Sequence, residues 1–444
     1  MNSNVSNPMK TKKMLPLLLS MSIPPMFSML IQSLYNIIDS IFVSYINQDA
    51  LTAVSLVYPL QNVVSGVAIG FGVGVSAIVA MNLGAKDKEA VNKTATHAMI
   101  LSGIHCLLFI IIGFLITKPF LRMFTNDATI LSWGTQYSYI VNCVSFGLMY
   151  MLVIEKIYQA SGNMLIPMLV QAIGCIVNII LDPIFIFGMF GLPKMGVAGA
   201  AAATVIAQIV AFIVYVLIWK NRDNGIHLAF KGFRFDKAII KRLYMIGIPS
   251  AVMLILPSLV VSLLNGILKD ISVSAIAVLG IYFKLQTFVY MPASGMVQAM
   301  RPIVSYNHGA GERHRVHEAI RSGILICLVI MTLGTLVSMF FPSEIFSMFN
   351  ADAQLLGIGI PALRIISTGF IISTLSIILC GAFEALGMGT QSLILSMLRQ
   401  LIILVPVAFV LSRFMGLNGV WIAFPIAEIL TSVVAIFYRK KYIQ

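Results

Sequence analysis

The sequence predicts an all-α integral membrane protein, with twelve transmembrane helices in two six-helix lobes related by a parallel internal repeat. Three observations carry this prediction. Apolar residues make up 59% of the 444 residues and charged residues only 10%, against about 25% in soluble domains. The apolar residues fall into twelve long runs. The two halves of the chain also match each other at a fixed offset.

The composition excludes a soluble fold, because no single core of this size hides so much apolar surface; lipid does. The first nine residues are polar and no small-residue cleavage site follows the first apolar run, so the mature chain is expected to start at Met1. A spanning helix needs about 20 apolar residues. Runs of that kind lie at 14–42, 51–82, 93–117, 130–155, 164–190, 196–219, 243–268, 273–303, 318–341, 354–383, 390–414 and 418–438. Proline inside them, as at Pro24-Pro25 and Pro292, is tolerated where neighbouring helices cover the freed backbone. The short alternating strands of a β-barrel do not fit runs of this length. Cys106, Cys143, Cys175, Cys327 and Cys380 sit in apolar stretches without metal spacing and read as small packed hydrophobes.

The net charge of +13 has a membrane explanation. Of the 29 Lys and Arg residues, 21 fall on the face that carries both termini and 5 on the other, while Lys284, Arg364 and Arg399 fall inside spans. Positive loops stay in the cytoplasm. Both termini are therefore expected there, which requires an even number of spans. The chain is expected in the inner (cytoplasmic) cell membrane as a multi-pass protein, with lipid as its surroundings and no nucleic-acid partner.

The repeat has an offset of 225 residues. Ile23-Pro24 pairs with Ile248-Pro249, and Leu60-Gln61 with Leu285-Gln286. Asn82, Gly84 and Ala85 pair with Asn307, Gly309 and Ala310; Met123-Phe124 and Asp127-Ala128 pair with Met348-Phe349 and Asp352-Ala353; Gly162 pairs with Gly387. The match loosens later, where Gly196-Val197 pairs with Gly419-Val420. Six spans per half is an even number, so the halves enter the membrane with the same polarity about an axis along its normal. The expected division is a lobe at 1–219, a basic cytoplasmic linker at 220–242 and a second lobe at 243–444. Two bundles with a cleft between them suit alternating access by a secondary transporter.

Pro24 with Asp39 in span 1, Asn82-Leu83-Gly84-Ala85 ending span 2, Asn178 through Asp182-Pro183 in span 5 and Asn307-His308-Gly309-Ala310 after span 8 together carry a resemblance. The chain resembles the multidrug and toxic compound extrusion (MATE) family, in its DinF/MepA-like bacterial branch, over nearly its whole length. The resemblance implies a V-shaped pair of lobes. It also implies export of bulky, often cationic amphipathic compounds, antibiotics included, in exchange for protons or sodium. In that branch the coupling acids lie on spans 1 and 5, which carries the role to Asp39, Asn178 and Asp182, with Tyr137 in span 4 as a fourth member. Span 7 has no acid, and span 10 has only Glu384 at its cytoplasmic end, which argues against a second coupling site in the carboxy lobe.

The residues also speak for themselves. Asp182 and Asn178 are four apart and share a helix face. Pro183 cannot donate to the carbonyl of Ile179, which leaves that oxygen beside them. This set can hold a proton or sodium, or simply satisfy a kink. An acid inside a span costs about 2.5–3.5 kcal/mol on insertion scales, which favours function. Asp39 lies at a similar depth in span 1, where depth alone also allows a snorkelling end residue. Asn36, Lys284 and Glu428 are further candidates for the cleft. Glu428 either contacts a cationic substrate or joins helices. Lys284 calls for an acid partner, and Arg364 either snorkels outward or enters the cleft. His308, His314 and His317 read as a solvated loop, with no metal site.

No cofactor beyond the coupling ion is expected, no converging nucleophiles suggest an enzyme, and no nucleotide-binding motif appears. The chain is expected to act as a monomer. A lipid-linked oligosaccharide flippase of related architecture is the alternative; its phosphate-bearing cargo calls for a cationic cleft, while the acids favour the antiporter.

Overall fold

The computed structural model describes residues 7–222, 225–349 and 352–443. Met1 and linker residues 223–224 lie outside them. Every regular element among the described residues is helical. Six helices precede the linker: α1 (Met14–Ser44), α2 (Gln48–Gly84), α3 (Lys88–Arg122), the bent span α4 (Ala128–Cys143 and Phe146–Ala160), α5 (Leu165–Phe187) and α6 (Val197–Asn221). Six follow it: α7 (Lys237–Leu268), α8 (Val273–Gly309), α9 (Arg313–Phe340), α10 (Ala353–Ala385), α11 (Gly389–Met415) and α12 (Leu417–Tyr442). Two short helices, Pro8–Thr11 and Pro342–Ser347, lie at helix ends. The twelve apolar runs thus each become a helix.

Three features depart from the expectation. Span 4 is not continuous to 155: its two segments meet at a bend of 40°, and the second runs on to Ala160. Lys156, which the end of the apolar run at 155 puts among the 21 basic residues of the terminus-bearing face, is therefore a buried residue of a helix. Arg301 likewise lies inside α8, well short of its end at Gly309. The sign of the loop-charge asymmetry is unaffected. Finally, α6 and α7 are longer than the apolar runs. The segment between them is pinned to α3, where Asn92 Oδ1, Thr96 Oγ1 and His97 Nε2 accept the backbone N–H groups of His227, Ala229 and Asp236 at 2.8, 3.0 and 2.8 Å.

The repeated residues have structural reasons. Asp127 and Asp352 are helix N-caps, each accepting a backbone N–H of its first turn at 2.8 Å. Gly162 and Gly387 stand at left-handed φ of 86° and 82°, where a side chain would be strained. Gly84 lies against the carbonyl of Tyr306, and Gly309 against the carbonyl of Met81. These two contacts are the same contact seen twice, as a two-fold axis between α2 and α8 requires.

α2 packs on α7, and α1 and α2 pack on α8. The tight glycine-mediated approaches across the halves, at Gly70, Gly74, Gly84, Gly295 and Gly309, all lie on the side that carries the termini. Met9 helps to seal that side: its carbonyl accepts from Asn307 Nδ2 at 3.1 Å and Arg315 Nη2 at 3.0 Å, while its side chain packs against Gly162 of the other half. The halves are therefore joined at that side.

Candidate functional site

Both halves wall a cavity of about 520 Å³ above this seal, within the range of sites for drug-sized ligands. Its surface mixes apolar side chains such as Met29, Ile69 and Leu152 with glutamines and a few charges.

Along the amino-half wall, Tyr35, Asn178 and Thr204 face the cavity, and Asp39 and Asp182 sit behind them. The turn-by-turn spacing of α1 puts Tyr35 and Asp39 on one face, as that of α5 does for Asn178 and Asp182. Asp182 is fully buried, Asn178 is 1% exposed and Tyr137 3%. The Asp39 and Asp182 carboxyls lie within hydrogen-bonding reach of each other. Asp39 Oδ1 is buried and meets no donor among the described residues. With its amide turned to suit both neighbours, Asn178 donates to Asp182 Oδ2 at 2.9 Å and accepts from the Thr204 backbone N–H at 3.2 Å. The Tyr35 hydroxyl stands 3.5 Å from Thr204 Oγ1, and Tyr137 hydrogen-bonds Gln61. Two carboxylates facing each other out of water repel. A proton or a small cation between them removes the repulsion and satisfies the orphaned oxygen.

This cluster contains Asp39, Asn178, Asp182 and Tyr137, the four residues singled out in the sequence. Tyr35, Gln61 and Thr204 complete it and were missed. Tyr35 alone left a signal, standing four residues before Asp39. Of the cleft candidates, Asn36 is exposed and borders a shallow groove along α1 with Ser33 and Ser40, apart from the main cavity.

The expectation of a buried, acid-paired Lys284 is corrected. It is exposed, with Nζ 5.6 Å from the centre of the Phe349 ring, and no acid meets it among the described residues. An exposed lysine keeps its ammonium out of the packed interior and needs no buried partner. Arg364 does the same, donating to the Met339 carbonyl at 3.3 Å. Glu428 does not reach the cavity surface; its Oε1 pairs with Arg399 Nε at 2.6 Å and its Oε2 accepts from Ser376 at 3.4 Å. It joins helices.

Charged residues that the sequence placed in or near loops line the cavity instead. Lys156 pairs with Glu155 at 2.8 Å and donates to Gln159 at 3.0 Å. Arg301 pairs with Glu384 at 2.5 Å, and Ser250 donates to the same carboxylate at 2.6 Å. Gln159 and Glu384 are repeat counterparts. The packing repeats as well: the Lys156 stem fills the space beside Gly72, as Val297 fills that beside Gly381.

Comparison with known proteins gives a consistent result. The MatE family model matches residues 24–184 and 249–410. The two stretches begin at Pro24 and Pro249, one repeat apart. The multidrug export protein MepA of Staphylococcus haemolyticus (strain JCSC1435) is 26% identical, covering 94% of this chain and 91% of its own. The FAD transporter of Shewanella oneidensis (strain MR-1) is 25% identical over 96% and 94%. The probable multidrug resistance protein YoeA of Bacillus subtilis (strain 168) is 26% identical over 91% and 89%. Among solved structures, a multidrug resistance MATE family transporter of the MOP superfamily in its outward-facing conformation superposes with a TM-score of 0.89 at 26% identity, covering 98% of each chain. A MATE structure in the bent conformation superposes at 0.89 with 27% identity, also covering 98% of each chain.

Proposed function

The chain belongs to the MATE family of membrane transporters, and we propose that it exports bulky, amphipathic compounds across the inner membrane in exchange for protons or sodium. One observation carries the coupling: the Asp39 carboxyl lies within hydrogen-bonding reach of Asp182, and its buried Oδ1 meets no donor among the described residues. The relatives named for multidrug export support the cargo class.

With both termini in the cytoplasm, the seal at Gly84 and Gly309 closes the inner side and the cavity faces outward. The acid pair takes up an ion from outside. Its neutralisation removes negative charge from the wall beside Asn178 and Tyr35, and a cationic group held there leaves. The loaded protein then turns inward, releases the ion and binds cargo again. Asn178 holds Asp182 by one hydrogen bond, and Asn178, Tyr35 and Thr204 stand between the pair and the cavity. The proton fits better than sodium, since Asn178 spends its oxygen on Thr204 N–H and few oxygens remain for a cation.

Linkage is reciprocal: an ion that weakens cargo binding is itself weakened by cargo, with the same energy. A cationic dye titrated against the purified protein should bind more weakly as pH falls, or as sodium rises. Asp39→Asn and Asp182→Asn should remove that dependence. A wild-type affinity indifferent to both ions, or variants that respond as wild type does, would overturn the mechanism. Efflux from proteoliposomes with proton and sodium gradients imposed separately identifies the ion. The same vesicles loaded with a lipid-linked oligosaccharide test the flippase alternative, which the arginines on the carboxy-half wall favour.

A further inference from the structure

We propose that Arg399 is an anion-binding arm of the cavity, so that the preferred cargo is a zwitterionic amphipath whose carboxylate docks on the carboxy-half wall. This rests on the export reading above and narrows its substrate class.

Four observations lead there. First, Arg399 faces the cavity and its counter-charge does not: Glu428 stands behind it, taking Nε, and the Tyr290 hydroxyl accepts from Nη2 at 3.3 Å. The ring of Tyr290 lies 5.5 Å beneath the guanidinium. The group is thus held by Glu428 behind it and by Tyr290 on the cavity wall beside it, while no protein acceptor among the described residues meets Nη1. Second, the acids on the wall are already engaged. Glu155 is taken by Lys156 and Gln159, and Glu384 by Arg301 and Ser250. A cargo ammonium finds no idle carboxylate among the acids that line the cavity from either half. Arg301 Nε is itself buried without an acceptor among the described residues.

Third, Arg399 sits in a π-turn, Leu398–Ile402, that interrupts α11. Such turns re-aim one side chain at the expense of regular helix and recur at functional sites. Fourth, the cavity is polarised. The Asp39–Asp182 pair lies behind its amino-half wall and Arg399 lies on the opposite half. A ligand with a cationic end and an anionic end, joined by an apolar body, satisfies both walls together with the methionines between them. A fork of fixed N–H donors is the natural partner of a planar carboxylate.

The probes are rhodamine 19 and its ethyl ester rhodamine 6G, one zwitterionic and one cationic on the same ring system. Binding is read by fluorescence anisotropy on the full-length protein in nanodiscs, and efflux in proteoliposomes. Wild type should bind rhodamine 19 roughly tenfold more tightly than the ester, the worth of one charge-assisted hydrogen bond. In Arg399→Gln/Glu428→Gln, which removes both charges together and leaves no buried ion unpaired, the ratio should fall to about one. Lys284→Gln, outside the cavity, should keep the preference. If wild type binds and exports both dyes alike, or prefers the ester, the export reading stands and the anion arm is wrong. A double variant that keeps the wild-type ratio also refutes it and leaves Arg399–Glu428 as a helix-joining pair. If neither dye binds or moves, both readings fail together.

Discussion

Replacing Gly84 by alanine should weaken the inner seal, and the structure sets the size of the effect. A Cβ at Gly84 would strike the Tyr306 carbonyl oxygen, and would lie 2.8 Å from the Tyr306 carbonyl carbon and 2.9 Å from Ala310 N. These are backbone atoms, so no side chain can swing aside; α2 and α8 must part. Overpacking of this kind costs about 1–3 kcal/mol. The clash exists only while the seal is closed, so that cost comes off the closed state alone, and its population against an inward-opened state falls roughly 5- to 150-fold. Gly309→Ala should act equally, because its Cβ meets the Met81 carbonyl in the repeat-related contact. Spin labels at Lys88→Cys and Arg313→Cys, in a background without the native cysteines, report the distance between the two helix ends. Both variants should broaden that distribution toward longer distances and slow gradient-driven efflux. Gly266→Ala, where a Cβ meets nothing within 4 Å, should leave it unchanged. Wild-type distances in both variants, or a shift in only one, would refute the two-fold seal.

Asp182→Asn should abolish gradient-driven efflux while the protein remains folded in the membrane. Leu264→Met, at the repeat counterpart of Asp39 and fully buried, should retain transport in the same vesicles. Glu428→Gln leaves Arg399 without its counter-charge and should cost about 3–5 kcal/mol, read as a lower melting temperature in detergent; adding Arg399→Gln should restore most of the loss. His97→Ala removes the acceptor for Asp236 N–H and the ring that packs, tilted, on Phe233 with centroids 4.7 Å apart. With about 1 kcal/mol lost locally, limited proteolysis of the linker should quicken roughly fivefold. Cysteines introduced in the linker should be labelled only from the cytoplasm and those near Asp49, Lys194 or Asp352 only from outside; the opposite pattern would reverse the proposed direction of transport.

The spans, the duplication and the shared face of Asn178 and Asp182 were legible in the sequence because each is a local or periodic signal, while the pairing of Asp39 with Asp182 was implied only by their similar depth and by the family resemblance. Hydropathy runs reflect the thickness of lipid, Asn178 and Asp182 share a face by helical geometry, and residues such as Asp127 and Gly162 repeat because caps and left-handed turns demand them. What the sequence left open is which surface of a helix meets lipid, which meets protein and which meets the cavity. Lys156, Arg301 and Glu384 read as loop or end residues because charge normally ends an apolar run. The folded chain carries these helices past the run and turns the charges onto a polar cavity wall, where each finds a partner. Lys284 read as buried because it lies mid-span, yet the fold leaves it exposed. Arg399 and Glu428 stood on separate helices with no spacing to link them, and only packing α11 against α12 brings them to 2.6 Å. The pairing of charges is decided by tertiary contact, since in a low-dielectric interior each ion's cost depends on the partner that the fold places beside it.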